Sequence, residues 1–442
     1  MLLRMDPFGF TRLTKFYSQD LLAVAMAGCY PDARAGGKCV KEVPPQAAAM
    51  PAASGRPAEP RARAATAVVL LRDADLHAFS EPWPPRYGFH ARVLRAIRAN
   101  RPKAVMLDIV FEDVRDDPTI EALAAELDRY KAAGIPVYAA TFGPDRPLRP
   151  GVAERVLPVQ VPKKIDPLDR VTRFYELSVA APDTQLTAVP TVFRDVCGGC
   201  DENAGCDAGT LRVFWSIVPD GSFNERWLEC RTRPKFPWWI FQDRGSDFRE
   251  DCPATPTVPA RILLEPTEEE DVAVESLVRD SVVFYGAFFH GAADAVNTPL
   301  HNDLPAVFLH AMTFDNLVTL GPDALRHREP QMPLLGVSLP DFLVLALIGG
   351  IFTLRRTSRR FETGWERLMR RVRSRLGRVM LVALGSQIGM LIVLAGLVST
   401  FACWVGASEW VLGVNFLFAV TWTEVLDITE KLFEAADEFA PE

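Results

Sequence analysis

Ten arginines, from Arg355 to Arg378, sit between two apolar runs of the length a lipid bilayer demands. Leu335–Leu354 spans twenty residues with Asp341 as its single charge, and Val379–Cys403 spans twenty-five with none. At roughly 1.5 Å per residue, each run as a helix covers the roughly 30 Å hydrocarbon core. Trp410–Thr423 is shorter and closed by Glu424, so it spans only by starting near Ala407 and letting Glu424 and Asp427 reach the interface. The sequence therefore predicts a membrane region of about three helices over residues 335–428 and an acidic tail over 429–442.

The arginines also set the orientation. Only Glu362 and Glu366 oppose them within the loop, and short, strongly basic loops stay in the cytoplasm. The residues before about 335 are then expected outside an inner, cytoplasmic membrane, in a multi-pass protein whose acidic tail ends inside. A net charge of −7 offers no basic face for nucleic acid. No convincing export signal is legible at the N-terminus: Thr11–Tyr30 reads as an amphipathic segment within residues 1–40, so an upstream membrane helix is expected beyond this version of the chain. Residues 41–66, rich in Pro and Ala, read as a linker.

From Ala67 the pattern changes to that of an α/β domain. Ala67–Leu71, Ala104–Phe111 and Ile135–Ala140 are short apolar runs of the kind buried in a parallel sheet. Between them, Tyr87–Ala99 and Pro118–Ala133 carry helical stripes. Strand–helix alternation of this kind predicts a mostly parallel sheet with right-handed crossovers. The periodicity weakens over about 147–279, which reads as an irregular Cys/Trp-rich insertion. Order returns with a strand at Ser281–Gly286 and a helix over Ala306–Thr319.

Trp83-Pro84-Pro85-Arg86-Tyr87-Gly88-Phe89-His90, a helix, and then the strand carrying Asp108 form one ordered block. Ser281–Gly286, Asp294, Thr298-Pro299, His310-Ala311 and Asp315-Asn316-Leu317 form a second, and Asp6-Pro7-Phe8 precedes both. Together, in this order and ahead of three apolar spans, they resemble the CHASE2 family. The resemblance implies sensing of a ligand or stress outside the membrane, relayed through helices to a cytoplasmic module. This chain departs from that plan in its cysteine-rich middle and in showing no output domain, so a separate cytoplasmic partner is expected.

Seven cysteines precede the first apolar span: Cys29, Cys39, Cys197, Cys200, Cys206, Cys230 and Cys252, with Cys403 near the outer end of the second. In an oxidising compartment these favour disulfides, with Cys29–Cys39 the best single pair. The C-x₂-C of Cys197 and Cys200 is also a zinc-type spacing, without a second such pair or a nearby Cys/His pair. No metal or cofactor is expected. Asp73, Trp83, Arg86, His90, Asp108, Asp294 and His310 are the candidate ligand contacts, with His290 beside them; strand-end carboxylates of an α/β sheet often face a ligand crevice, and loop and cap hydrogen bonding is the structural alternative. The chain lacks a nucleophile elbow, an H-E-x-x-H and a P-loop, so it reads as a receptor rather than an enzyme.

Rival readings are a tethered hydrolase, with His90 or His310 as base oriented by Asp73 or Asp108, and a structural subunit of an envelope or defence complex. Trp227, Trp238, Trp239 and Phe241 read either as an aromatic surface or as a small core. Gly385-x-x-x-Gly389 would let two copies pair as a homodimer.

Overall fold

A computed structural model describes residues 66–321, apart from 113–114, 144, 162–164, 166–169, 180–184, 199–208, 217–222, 232–251 and 290–293. The apolar spans, the arginine loop, the tail and the first 65 residues lie outside the described residues. Among those described, no helix is long and apolar enough to cross a membrane.

The domain is built on a six-stranded sheet. Its strands are β1 (Thr66–Arg72), β2 (Ala104–Asp108), β3 (Val137–Thr141), β4 (Leu157–Gln160), β9 (Thr257–Pro259) and β10 (Val282–Phe288), in the order β4-β3-β2-β10-β1-β9. Every pairing is parallel. β1, β2, β3 and the first half of β10 are buried on both faces, which is why they appear in the sequence as unbroken apolar runs rather than alternating ones.

Helices cover both faces. α1 (Asp73–Ala78), α2 (Tyr87–Ala99), α3 (Ile120–Ala132) and the short α4 (Pro150–Ala153) follow the first strands. With α7 (Ala260–Leu264) and α8 (Glu268–Val278) they enclose one core, into which Val69, Leu71, Val105, Leu107, Ala139, Val283 and Tyr285 project. On the other face α5 (Ala188–Cys197) packs against α9 (Val307–Leu320), with Phe314 of α9 meeting Phe193 and the strand residue Phe284. The resulting helix–sheet–helix layering, with mixed α/β content and a mostly parallel sheet, agrees with the expected fold class.

The stretch 147–279 differs from its reading as an insertion. β4 and β9 both come from it and form the two edges of the main sheet, and α7 and α8 seal one core. The two edge strands are only four and three residues long, too short to show a period, which is why the sequence pattern hides them. The true excursion lies between β4 and β9. It holds two small antiparallel pairs: β5 (Phe174–Glu176) with β8 (Thr210–Arg212), and β6 (Ser178–Val179) with β7 (Gln185–Leu186). A last antiparallel pair, β11 (Ala295–Val296) with β12 (Leu304–Pro305), leads into α9.

This excursion also holds α6 (Phe223–Leu228), which lies along β9. Trp227 is buried there, stacked on Phe223 at 4.9 Å, so it belongs to a core rather than to a binding surface; Trp238, Trp239 and Phe241 lie outside the described residues. A disulfide joins Cys230 to Cys252 beside it. Cys197 is also disulfide-bonded; Cys29, Cys39, Cys200 and Cys206 lie outside the described residues. Among the described residues no cysteine is free.

Candidate ligand site

Parallel strands all point their C-terminal ends to one edge of the sheet, and that edge is where α/β proteins place ligands. Asp108 is the last residue of β2, and its register partner on the neighbouring strand is Gly286. The glycine has a packing reason: a Cβ there would fall 2.5 Å from Cβ of Val307, the first residue of α9. Its absence lets α9 begin directly against the sheet. His310 stands one turn further along α9, and its Nε2 comes to 3.4 Å from Asp108 Oδ1. Both side chains are buried, 5% and 7% exposed.

The other ring nitrogen of His310 faces the Tyr175 hydroxyl at 2.9 Å, with the two rings edge to face. Burial, above all, raises the Tyr175 phenol well above its ordinary range, and the Asp108 charge adds to this. The hydroxyl therefore stays protonated and shares a hydrogen bond with Nδ1. A line of polar contacts thus joins the end of a central strand, α9 and the excursion strand β5. The second oxygen of Asp108, Oδ2, is sheltered from solvent and has no hydrogen-bond partner among the described residues.

Glu112 follows in the loop after β2. Its Oε2 holds Arg146 at 2.7 Å, while its Oε1 is likewise sheltered and has no partner among the described residues. Among the described residues, no three His, Cys, Asp or Glu side chains group as metal ligands.

The other expected contacts are placed elsewhere. His90 lies on the opposite face of the sheet from His310: it bonds the hydroxyl of Tyr285, the strand neighbour of Gly286, and adjacent strand residues face opposite ways. Burial and then the nearby Arg115 push its pKa down to about 3, with Asp117 offsetting only a little, so the ring is neutral near pH 7. The hydrolase reading is narrowed accordingly, since only His310 stands against a carboxylate of its proposed pair.

Asp73 is exposed in the first turn of α1. Asp75, two residues on and not singled out in the sequence, is fully buried: its Oδ2 accepts from Arg72 N at 2.8 Å and its Oδ1 from Arg261 N at 3.3 Å. Arg86 is exposed and paired with Glu81 at 3.2 Å. Trp83 is 61% exposed and packs on Phe289 at 4.0 Å, just past the end of β10. Asp294 is exposed, and its backbone carbonyl accepts from Ala306 N at the start of α9; His290 lies outside the described residues.

Several motif residues prove to be joinery. Asn316 Oδ1 accepts from Phe214 N at 2.7 Å and its Nδ2 donates to Phe214 O at 3.0 Å, tying the excursion to α9. The Thr298 hydroxyl accepts from Leu300 N and His301 N, closing the turn before β12. Asp117 Oδ2 accepts from Tyr87 N at 2.8 Å and so supplies the cap that Arg86 cannot give α2. Burial works against ionising Asp117, but the Thr119 and Tyr87 hydrogen bonds and the Arg115 charge hold its carboxyl below the ordinary range.

Sequence reasoning singled out Asp108 and His310 but not Tyr175, which lies in the irregular stretch with no periodic or motif signal around it. No curated protein and no solved structure matches this chain. The CHASE2 domain model does, over residues 49–353, which is about two thirds of the 442 residues and takes in every described element; the chain belongs to the CHASE2 domain family.

Proposed function

We propose that this protein is a membrane-anchored sensor whose α/β domain lies outside the cytoplasmic membrane and whose α9 carries the signal toward the helices that follow. CHASE2 domains are extracytoplasmic sensory domains, and a sensor needs one element that both touches the ligand site and continues toward the membrane. The observation that supports this reading is the Asp108–His310–Tyr175 chain. It makes the seat of α9 depend on the sheet edge and on the excursion at once. α9 is also the last described element before the apolar span that opens at Leu335. The arginine loop and the acidic tail are the surfaces offered to a separate cytoplasmic partner. Pairing through Gly385 and Gly389 would make the receptor a homodimer.

Paired reporter fusions, one active only outside and one only inside, placed after residues 330, 366 and 442 test the topology. The expected pattern is outside, inside, inside. An inside signal at 330 sinks the reading whatever the ligand. Exchange of the loop arginines for glutamate is expected to disturb that topology and to release any protein that co-purifies with the full-length chain.

The rival hydrolase reading rests on the same His310–Asp108 pair. It predicts turnover that His310→Gln abolishes, whereas a sensor keeps its fold and loses signalling. Against it, the nearest hydroxyl, Tyr175, is kept protonated by burial, which makes it a poor nucleophile.

A further inference from the structure

The described domain begins and ends at the same edge of its sheet. β1 opens it at Thr66, and because every pairing is parallel all six strands start on that edge. α9 runs back toward it. Its first residue, Val307, stands against Gly286, whereas Phe314, further along the helix, meets Phe284, which comes earlier in β10. Gly321, which closes α9, therefore returns the chain to the edge where Thr66 entered, and the apolar run at Leu335 opens fourteen residues later.

This edge carries exposed cations. The segments entering β2, β3 and β4 bring Arg101, Lys103, Lys131 and Arg155. They enter neighbouring strands, tied by Lys103 N donating to Ser281 O and Val105 N donating to Pro136 O. Arg155 is held by Asp128 and Glu154, and Arg279 by Glu275. Arg101, Lys103 and Lys131 are exposed and make no ion pair among the described residues, with Asp280 the exposed acid near them. Between β3 and β4 the edge holds a cavity of about 220 Å³, walled by Lys131, Arg155 and Glu154 and by the apolar Ile135, Val156 and Leu157. Leu157 is 47% exposed. The opposite edge has the other sign: Asp73, Asp116 and Asp145 are exposed, while Arg86 and Arg146 are paired to Glu81 and Glu112.

Resting on the membrane-anchored reading above, we propose that the edge where the strands start is a lipid-binding face, on which Arg101, Lys103 and Lys131 hold anionic phospholipid headgroups beside the exposed Leu157. Cations set next to an exposed apolar side chain are the mixture that suits a headgroup boundary. Both chain ends of the domain leave from this edge, which makes a lipid surface the occupant rather than an acidic protein. Each cation at an anionic surface adds about five-fold in affinity, so three suffice without a deep pocket. The edge that carries Asp108 and His310 is thereby turned away from the lipid, and its acidic residues are kept out of the negative surface potential.

Hydrogen exchange of the whole chain in lipid nanodiscs tests this, comparing phosphatidylcholine alone with phosphatidylcholine that carries phosphatidylglycerol. Peptides covering Arg101–Lys103 and Lys131–Ile135 are expected to exchange about five-fold or more slowly in the anionic discs, and high salt should shrink the difference. Peptides covering the opposite edge, at Phe142 and Asp116, are expected to exchange alike in both. The triple substitution Arg101→Gln, Lys103→Gln and Lys131→Gln, all at exposed positions and checked by circular dichroism, should abolish the difference.

Equal exchange in the two membranes, or slowing that the triple substitution leaves in place, overturns the proposal. Slowing confined to the opposite edge overturns it as well. If sodium glycerophosphate added to the neutral discs reproduces the slowing, the face binds free phosphate rather than a lipid surface, and the proposal falls. The measurement is indifferent to the side of the membrane on which the domain lies, so it and the reporter fusion at residue 330 fail separately.

Discussion

The two faces of the central sheet each bury a histidine against a tyrosine hydroxyl, and they use it differently. On one face His90 meets Tyr285 at 3.0 Å within an apolar shell of Phe89, Phe111 and Tyr87, with no carboxylate bonded to it. On the other, His310 meets Tyr175 at 2.9 Å and has Asp108 at its second nitrogen. The first arrangement is closed in the sense that it joins two uncharged groups. The second ends in a carboxylate oxygen that nothing in the described structure satisfies. A buried histidine is therefore no guide to function by itself; what separates these two is the carboxylate beside His310.

The contrast can be broken from either side. The largest expected effect lies on the closed face. Glu126 is fully buried at the α2–α3 contact, bonded to Arg98 and Arg129 at 2.7 Å with Arg95 at 3.6 Å. Glu126→Leu should destabilise by about 2–3 kcal/mol, below the value for a fully buried pair because the arginines are partly solvated. Chemical denaturation measures it, and signalling through the intact open face should survive in the folded fraction.

Gly286→Ala comes next and strikes the open face. The new methyl meets Val307 at 2.5–2.9 Å, so α9 must shift, at about 1–3 kcal/mol. Adding Val307→Ala should recover much of the loss in thermal stability. If the double variant is no better than the single one, the seat of α9 is not set by this contact.

The third test uses pH. The folded pKa of His90, about 3, lies below its unfolded value of 6.5. The unfolded chain therefore binds the extra proton, and the contribution of the neutral ring is complete above pH 6.5. It fades as pH falls from 6.5 toward 3, by at most about 1.4 kcal/mol per unit. His90→Gln should flatten that slope between pH 6.5 and 4; an unchanged slope would remove the closed-face histidine from the account. The smallest expected effect is His310→Gln, at about 1 kcal/mol for exchanged hydrogen bonds. Its signature is a change in α9 protection by hydrogen exchange rather than in the melting temperature.

Local pattern carried most of the fold. The helix over Tyr87–Ala99 matches its expected bounds, and four central strands begin within two residues of the expected positions, because long apolar runs and clear stripes leave one reading. β4 and β9 escaped, since short edge strands of mixed polarity carry no period. Within the site, Asp108 and His310 were visible through motif resemblance, yet nothing local said that they touch, that His90 faces the other way, or that Tyr175 joins them.

By itself, then, the sequence determined the elements that short-range preference controls: buried parallel strands, helical stripes, the family to which the ordered blocks belong, and the arginine-flanked apolar runs that predict membrane helices. The tertiary structure alone decided which of two family-like histidines meets a carboxylate, because that choice rests on a contact between residues 108 and 310. That contact exists through a glycine on a third element. Missing side-chain volume at Gly286 lets α9 reach the sheet, and no reading of neighbours along the chain registers a space that only folding creates.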